Sequence, residues 1–69
     1  MSKYIVSNEK ILGGSPVIVG TRIPAERILY LFRDGYTIEA IHDEYPQLNP
    51  ELIYKVIDEI AQNLKTNQA

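Results

Sequence analysis

Apolar positions change their rhythm partway along the chain, near Pro24. Before it they come in short β-branched clusters. Tyr4-Ile5-Val6 is one, and Pro16-Val17-Ile18-Val19, bounded by Gly14 and Gly20, is another. Runs of this type suit strands. Ser7-Asn8-Glu9-Lys10 and Gly13-Gly14-Ser15 lie between them and carry turn chemistry. The pattern predicts a small two-stranded ribbon, with Thr21-Arg22-Ile23 continuing extended into the first helix. An isolated hairpin is marginal in water, so this ribbon needs helices or a second copy to lean on.

After Pro24 the apolar period becomes helical, in three segments. The first is expected from about Pro24 to Asp34, with Pro24 at the first helical position and Gly35 at the stop. Its expected buried stripe is Ala25, Ile28, Leu29 and Phe32, widened by Leu31. The second runs from Ile38 to Glu44 or Tyr45, with Thr37 as N-cap and Pro46 as terminator. Tyr36 and Ile41 sit at the spacing of a hydrophobic staple, and Ile38, Ile41 and Tyr45 form the apolar side. The third opens on Asn49-Pro50. Leu52, Ile53, Val56, Ile57, Ile60, Ala61 and Leu64 then repeat at spacings of one and three, one apolar face over about three and a half turns.

These elements predict a mainly α fold: a three-helix, helix-turn-helix bundle carrying a short N-terminal β-ribbon. The expected division is an extended element over residues 1–23, the bundle over 24–65 and a fraying tail over 66–69. The short link Pro46-Gln47-Leu48 suits a steep helix-turn-helix crossing. Thr37-Ile38-Glu39-Ala40-Ile41 followed by Asn49-Pro50-Glu51-Leu52-Ile53 is similar to many bacterial helix-turn-helix openings, with small Ala40 where two helices approach. The turn departs from that pattern, since Tyr45-Pro46 stands where glycine is common.

Composition narrows the chemistry. At 69 residues the chain is one domain near the lower size limit for an independent core. Self-association into a homodimer is expected on that ground. With no cysteine and one histidine, His42, neither a thiolate nor a multi-histidine metal site can form. His42 is expected to be an exposed helical residue. Asp43 and Glu44 are adjacent and diverge, so they do not form an acid–base pair. Gly13-Gly14-Ser15-Pro16 lacks the lysine-serine pair of a phosphate loop. No catalytic residue, metal or cofactor is expected. No apolar run approaches the roughly 20 residues of a membrane span. Met1-Ser2-Lys3-Tyr4 lacks the apolar stretch of a signal peptide, which points to the cytoplasm.

Seven basic and nine acidic residues give a net charge of −2. DNA binders usually carry a basic surface, because neutralising phosphates supplies most of their affinity. If the third helix did enter a major groove, Glu51, Tyr54, Lys55 and Asp58 would be presented. Two of these four are acids, and an ordinary solvated helix face is the better account of them. Arg27 and Arg33 are read as surface arginines paired with Glu26 or Asp34. Arg22 sits beside Gly20 and Thr21 in a constrained stretch. Its guanidinium either clamps a partner's carboxylate, phosphate or carbonyl-rich edge, or braces the ribbon internally.

Gly14-Ser15-Pro16-Val17-Ile18-Val19-Gly20-Thr21-Arg22-Ile23-Pro24 resembles the signature of the domain-of-unknown-function 433 family of small prokaryotic proteins. Gly35-Tyr36-Thr37, Tyr45-Pro46-Gln47-Leu48 and the final amphipathic helix extend the resemblance over nearly the whole chain. It marks Gly14, Pro16, Gly20, Thr21, Arg22 and Pro24. Ser15 departs from a position that is often lysine. The resemblance implies a homeodomain-like or winged-helix-like fold and an antitoxin role, pairing with a PIN-like ribonuclease toxin. Gly20, Thr21 and Arg22 are then the expected partner-binding residues. The alternative is a self-regulating DNA-binding protein that uses Glu51, Tyr54 and Lys55.

Overall fold

Backbone chemistry places each helix end in the computed structural model, which describes residues 3–67. Helix α1 spans Ala25–Arg33. Pro24 stands one place before it, extended at ψ 135°, and bridges Val17. The proline therefore caps the helix from outside, whereas the sequence pattern predicts it as the first helical residue. At the other end Gly35 takes φ +98°. Its N–H donates to the Phe32 carbonyl at 3.1 Å, and that of Tyr36 to Leu31 at 3.0 Å, a Schellman closure.

Helix α2 spans Ile38–Glu44, and the Thr37 hydroxyl accepts from the Ala40 N–H at 3.1 Å. Helix α3 spans Pro50–Asn67, with Asn49 Oδ1 accepting from the N–H groups of Glu51 and Leu52 at 2.9 and 3.2 Å. Helical backbone thus passes the expected end at 65. Gln68 and Ala69, the last two residues of the expected tail, lie outside the described residues.

The α2–α3 turn does without glycine. The Leu48 N–H donates to the Tyr45 carbonyl at 2.9 Å, closing a β-turn with Pro46 in its second place. Proline presets φ there, and no residue of this turn has a positive φ. His42 is half-buried, not exposed as expected, and its Nδ1–H donates to the Leu48 carbonyl at 2.6 Å. The histidine ties α2 across the turn.

Strands β1 (Ile5–Val6) and β2 (Val17–Ile18) pair antiparallel, with Ile5 opposite Ile18 and Val6 opposite Val17. The expected ribbon is present, and β2 holds further partners on its other edge. Ile18 N–H donates to the Ile23 carbonyl at 2.9 Å, and Ala25 N–H to Pro16 at 3.0 Å. The core is eight aliphatic side chains: Ile18, Ile23, Ile28, Leu31, Ile41, Leu48, Ile53 and Val56. Every helix, β2 and both flanking connections contribute. No polar residue is buried among the described residues.

The face of α1 differs from expectation. Ala25, Ile28 and Leu31 are buried, whereas Phe32 is 44% exposed and Leu29 only half-buried. Both sets satisfy a helical period. They differ by a modest rotation about the axis, and packing on α2 and α3 selects the one containing Leu31. On α3, Ile53 and Val56 are fully buried, Ile57 and Ile60 half-buried and Ala61 exposed. The Leu64 side chain lies outside those described.

Two outcomes are expected for stability. Ile28→Ala should cost about 2–5 kcal/mol. A core this small rarely supplies more than about 3–5 kcal/mol, so urea titration with circular dichroism should find the variant largely unfolded without denaturant. A wild-type midpoint would contradict the assigned core. At Gly35 an added Cβ meets nothing within 4 Å. The cost of Gly35→Ala is then conformational alone, about 1 kcal/mol, and Gly35→Asn should lose less. Equal losses for the two variants would argue against the left-handed cap.

Candidate functional site

The Gly20-Thr21-Arg22 corner is built by β2 and the segment that returns to α1. The Thr21 N–H donates to the Ile18 carbonyl at 3.0 Å, and Gly20 holds φ +76° in the third place of the turn. That is the position where a type II turn demands glycine. The Thr21 hydroxyl donates to the same Ile18 carbonyl at 2.8 Å and accepts from the Ile23 N–H at 3.0 Å. One side chain therefore fastens both ends of the corner.

Arg22 has no such duty. It is exposed, and among the described residues its side chain has no hydrogen bond or ion pair. The internal brace considered for Arg22 is supplied by Thr21 instead. Arg22 lines a shallow depression together with Val6, Asn8, Ile11, Thr21 and Gln47. Its lining mixes apolar Val6 and Ile11 with polar side chains and the one cation.

Several contributors to this surface are not predicted by the sequence pattern. Val6 and Ile11 arrive from the ribbon and its loop, and Gln47 from the α2–α3 turn. Leu12, next to Ile11, takes φ +51° and is 54% exposed. A leucine in the left-handed region is strained by roughly 1–2 kcal/mol. The one local signal of that backbone is the pair Gly13-Gly14 directly after it, which by itself indicates turn chemistry and no more.

The expected groove-reading residues share the outer side of α3. Glu51, Tyr54 and Asp58 are exposed. Lys55 is half-buried, with Nζ 5.7 Å from the Tyr4 ring centroid. Its charge faces an aromatic ring of the same chain. Arg27 and Arg33 are exposed, and the pairing expected with Glu26 or Asp34 does not form among the described residues. Those residues contain no cluster of three or more His, Asp or Glu side chains able to hold a metal ion. No helix among them is long and apolar enough to cross a membrane.

The chain is 35% identical over 51 residues to "Uncharacterized protein y4eO" of Sinorhizobium fredii (strain NBRC 101917 / NGR234). The aligned region is 74% of this chain and 23% of that protein, so the chain spans under a quarter of the curated relative it matches. No solved structure matches it. A family model described as "Protein of unknown function (DUF433)" matches residues 5–63, from the first strand through most of α3. The match takes in the ribbon, the Arg22 corner and the helical core together, and the chain belongs to the DUF433 family.

Proposed function

We propose that this protein is a non-enzymatic binding module that engages a partner protein through the Gly20-Thr21-Arg22 corner, acting as an antitoxin toward a PIN-like ribonuclease toxin. The observation that carries the reading is an unpaired, exposed arginine on a backbone corner fastened by Thr21, lining a shallow depression. A guanidinium offers a planar fork of donors that matches a carboxylate bidentately. Val6 and Ile11 in the lining suit an adjoining hydrophobic side chain of the same partner. Because the corner is already ordered, little conformational freedom is lost on docking. Carboxylates at the centre of a metal-dependent nuclease are suitable targets, and occupying them would inhibit without any bond being made or broken.

DNA reading through α3 has weaker support. Its exposed opening offers Glu51 and Asp58, and Lys55 is turned toward Tyr4.

The test is titration of a PIN-like ribonuclease encoded beside this protein. Arg22→Ala should weaken binding about tenfold or more, since a charge-assisted hydrogen bond contributes about 1.5–3 kcal/mol. Its melting temperature should stay close to that of the wild type, because Arg22 is exposed and its side chain makes no hydrogen bond or ion pair among the described residues. Unchanged affinity would remove Arg22 from the interface. A salt-sensitive gel shift on the upstream DNA, without ribonuclease binding, would replace this reading with the DNA-binding one.

Thr21→Val separates presentation from contact. It leaves the Ile23 N–H without its hydroxyl partner and should cost about 1–3 kcal/mol of stability. Denaturant titration reads that loss directly. A wild-type midpoint would show that the hydroxyl does not hold the corner.

A further inference from the structure

Helix α1 has a second face that the core does not use. At about 100° per residue, Glu26, Tyr30 and Arg33 lie opposite the buried Ala25, Ile28 and Leu31. Leu29 lies next to them. Tyr30 is 62% exposed, and Glu26 and Arg33 are exposed without ion pairs among the described residues. Pro24, Glu26, Arg27, Leu29, Tyr30 and Arg33 line one open groove along this face.

The order of charges along this face is what identifies its occupant. An acid stands at the N-terminal end, an arginine at the C-terminal end, and an apolar pair, Leu29-Tyr30, lies midway. Helix-dipole preference accounts for where the charges sit. It does not account for an exposed tyrosine and a half-buried leucine between them. In a two-fold interface, residue i of one copy meets j of the other, and j meets i. Glu26 and Arg33 are equally far from the Leu29–Tyr30 midpoint. A second α1 laid antiparallel would set each Glu26 against Arg33 of the other copy, with Leu29 beside the other Leu29 and Tyr30 beside the other Tyr30, since these two lie on opposite flanks of the face. A parallel arrangement would bring like charges together.

We infer that the outer face of α1 is a two-fold interface with a second copy of this chain, zipped by two reciprocal Glu26–Arg33 pairs around a Leu29–Tyr30 centre. The interface shares no lining residue with the depression at Arg22. Self-association therefore leaves the corner open, and the inference does not depend on the partner proposed above. The helix is nine residues, about 14 Å long. Such a patch is smaller than the roughly 800 Å² per partner typical of tight complexes, so the dimer exchanges with monomer at micromolar concentrations.

Sedimentation equilibrium on the full chain, from about 10 μM to about 1 mM, tests this. The wild type should show a concentration-dependent monomer–dimer equilibrium that weakens with salt. Glu26→Arg and Arg33→Glu should each raise the dimer dissociation constant about tenfold or more, because both end pairs become repulsive. Mixing these two variants should restore association as a heterodimer, since every end pair is then of opposite sign. Circular dichroism should find both variants folded, as both residues are exposed. A wild type that stays monomeric throughout would overturn the inference. So would a dimer indifferent to Glu26→Arg, or a mixture that fails to associate.

Discussion

Ile18 joins the two halves of this molecule. Its side chain is fully buried in the helical core. Its N–H is bonded to the Ile23 carbonyl, and its own carbonyl receives both the N–H and the hydroxyl of Thr21. It also stands opposite Ile5 in the ribbon. Strands of two residues cannot hold themselves together in water. The ribbon keeps its order because Ile18 is anchored among the helices, and the corner keeps its shape because it closes on the same residue. Loss of the core would therefore take the Arg22 corner with it.

The helices need equally local help. With eight buried aliphatic side chains in the core, no disulfide and no buried polar network among the described residues, each connection counts. The α1–α2 connection is closed by the left-handed Gly35, and the α2–α3 connection by Pro46 together with His42. Both are short and both end on a capped helix, so little chain entropy separates the unpacked from the packed arrangement. His42 spends its Nδ1 on the Leu48 carbonyl, which fixes the approach of α3 to α2.

How much of this was legible depends on how far each cause lies along the chain. Thr37 and Asn49 were readable as caps and Gly35 as a stop, because each acts within four residues of itself. The ribbon was readable from its β-branched clusters. The buried stripe of α1 is readable only in part: Ala25 and Ile28 lie on it, and Phe32 does not. Leu31 and Phe32 are neighbours with equal claims to the inner face, and the choice belongs to α2 and α3. The burial of His42 is not legible for a similar reason, since its partner carbonyl comes into reach only after the turn has formed. At the site, the sequence around Arg22 fits both an outward guanidinium and an internal brace, and the bonds that make the brace belong to Thr21. The depression draws on positions from Val6 to Gln47. A surface assembled over that span leaves no local trace in the sequence.

The two surfaces of α1's neighbourhood are mechanically one body. Ala25 N–H is bonded to the Pro16 carbonyl and Pro24 bridges Val17, so the N-terminus of α1 is pinned to the strand that shapes the corner. A rigid link of this kind does not by itself give allostery, which needs an element with two arrangements for both ligands to bias. With no lining residue in common, binding at the corner and pairing along α1 should add independently. Any cooperation between them would come from geometry. An antiparallel α1 pair would set the two Arg22 corners at opposite ends of the dimer, because each corner precedes its own helix. A partner that is itself dimeric could then engage both, and its second contact would be made at the raised effective concentration of a tethered site. A single unpaired arginine, modest on its own, would thereby contribute twice in one complex.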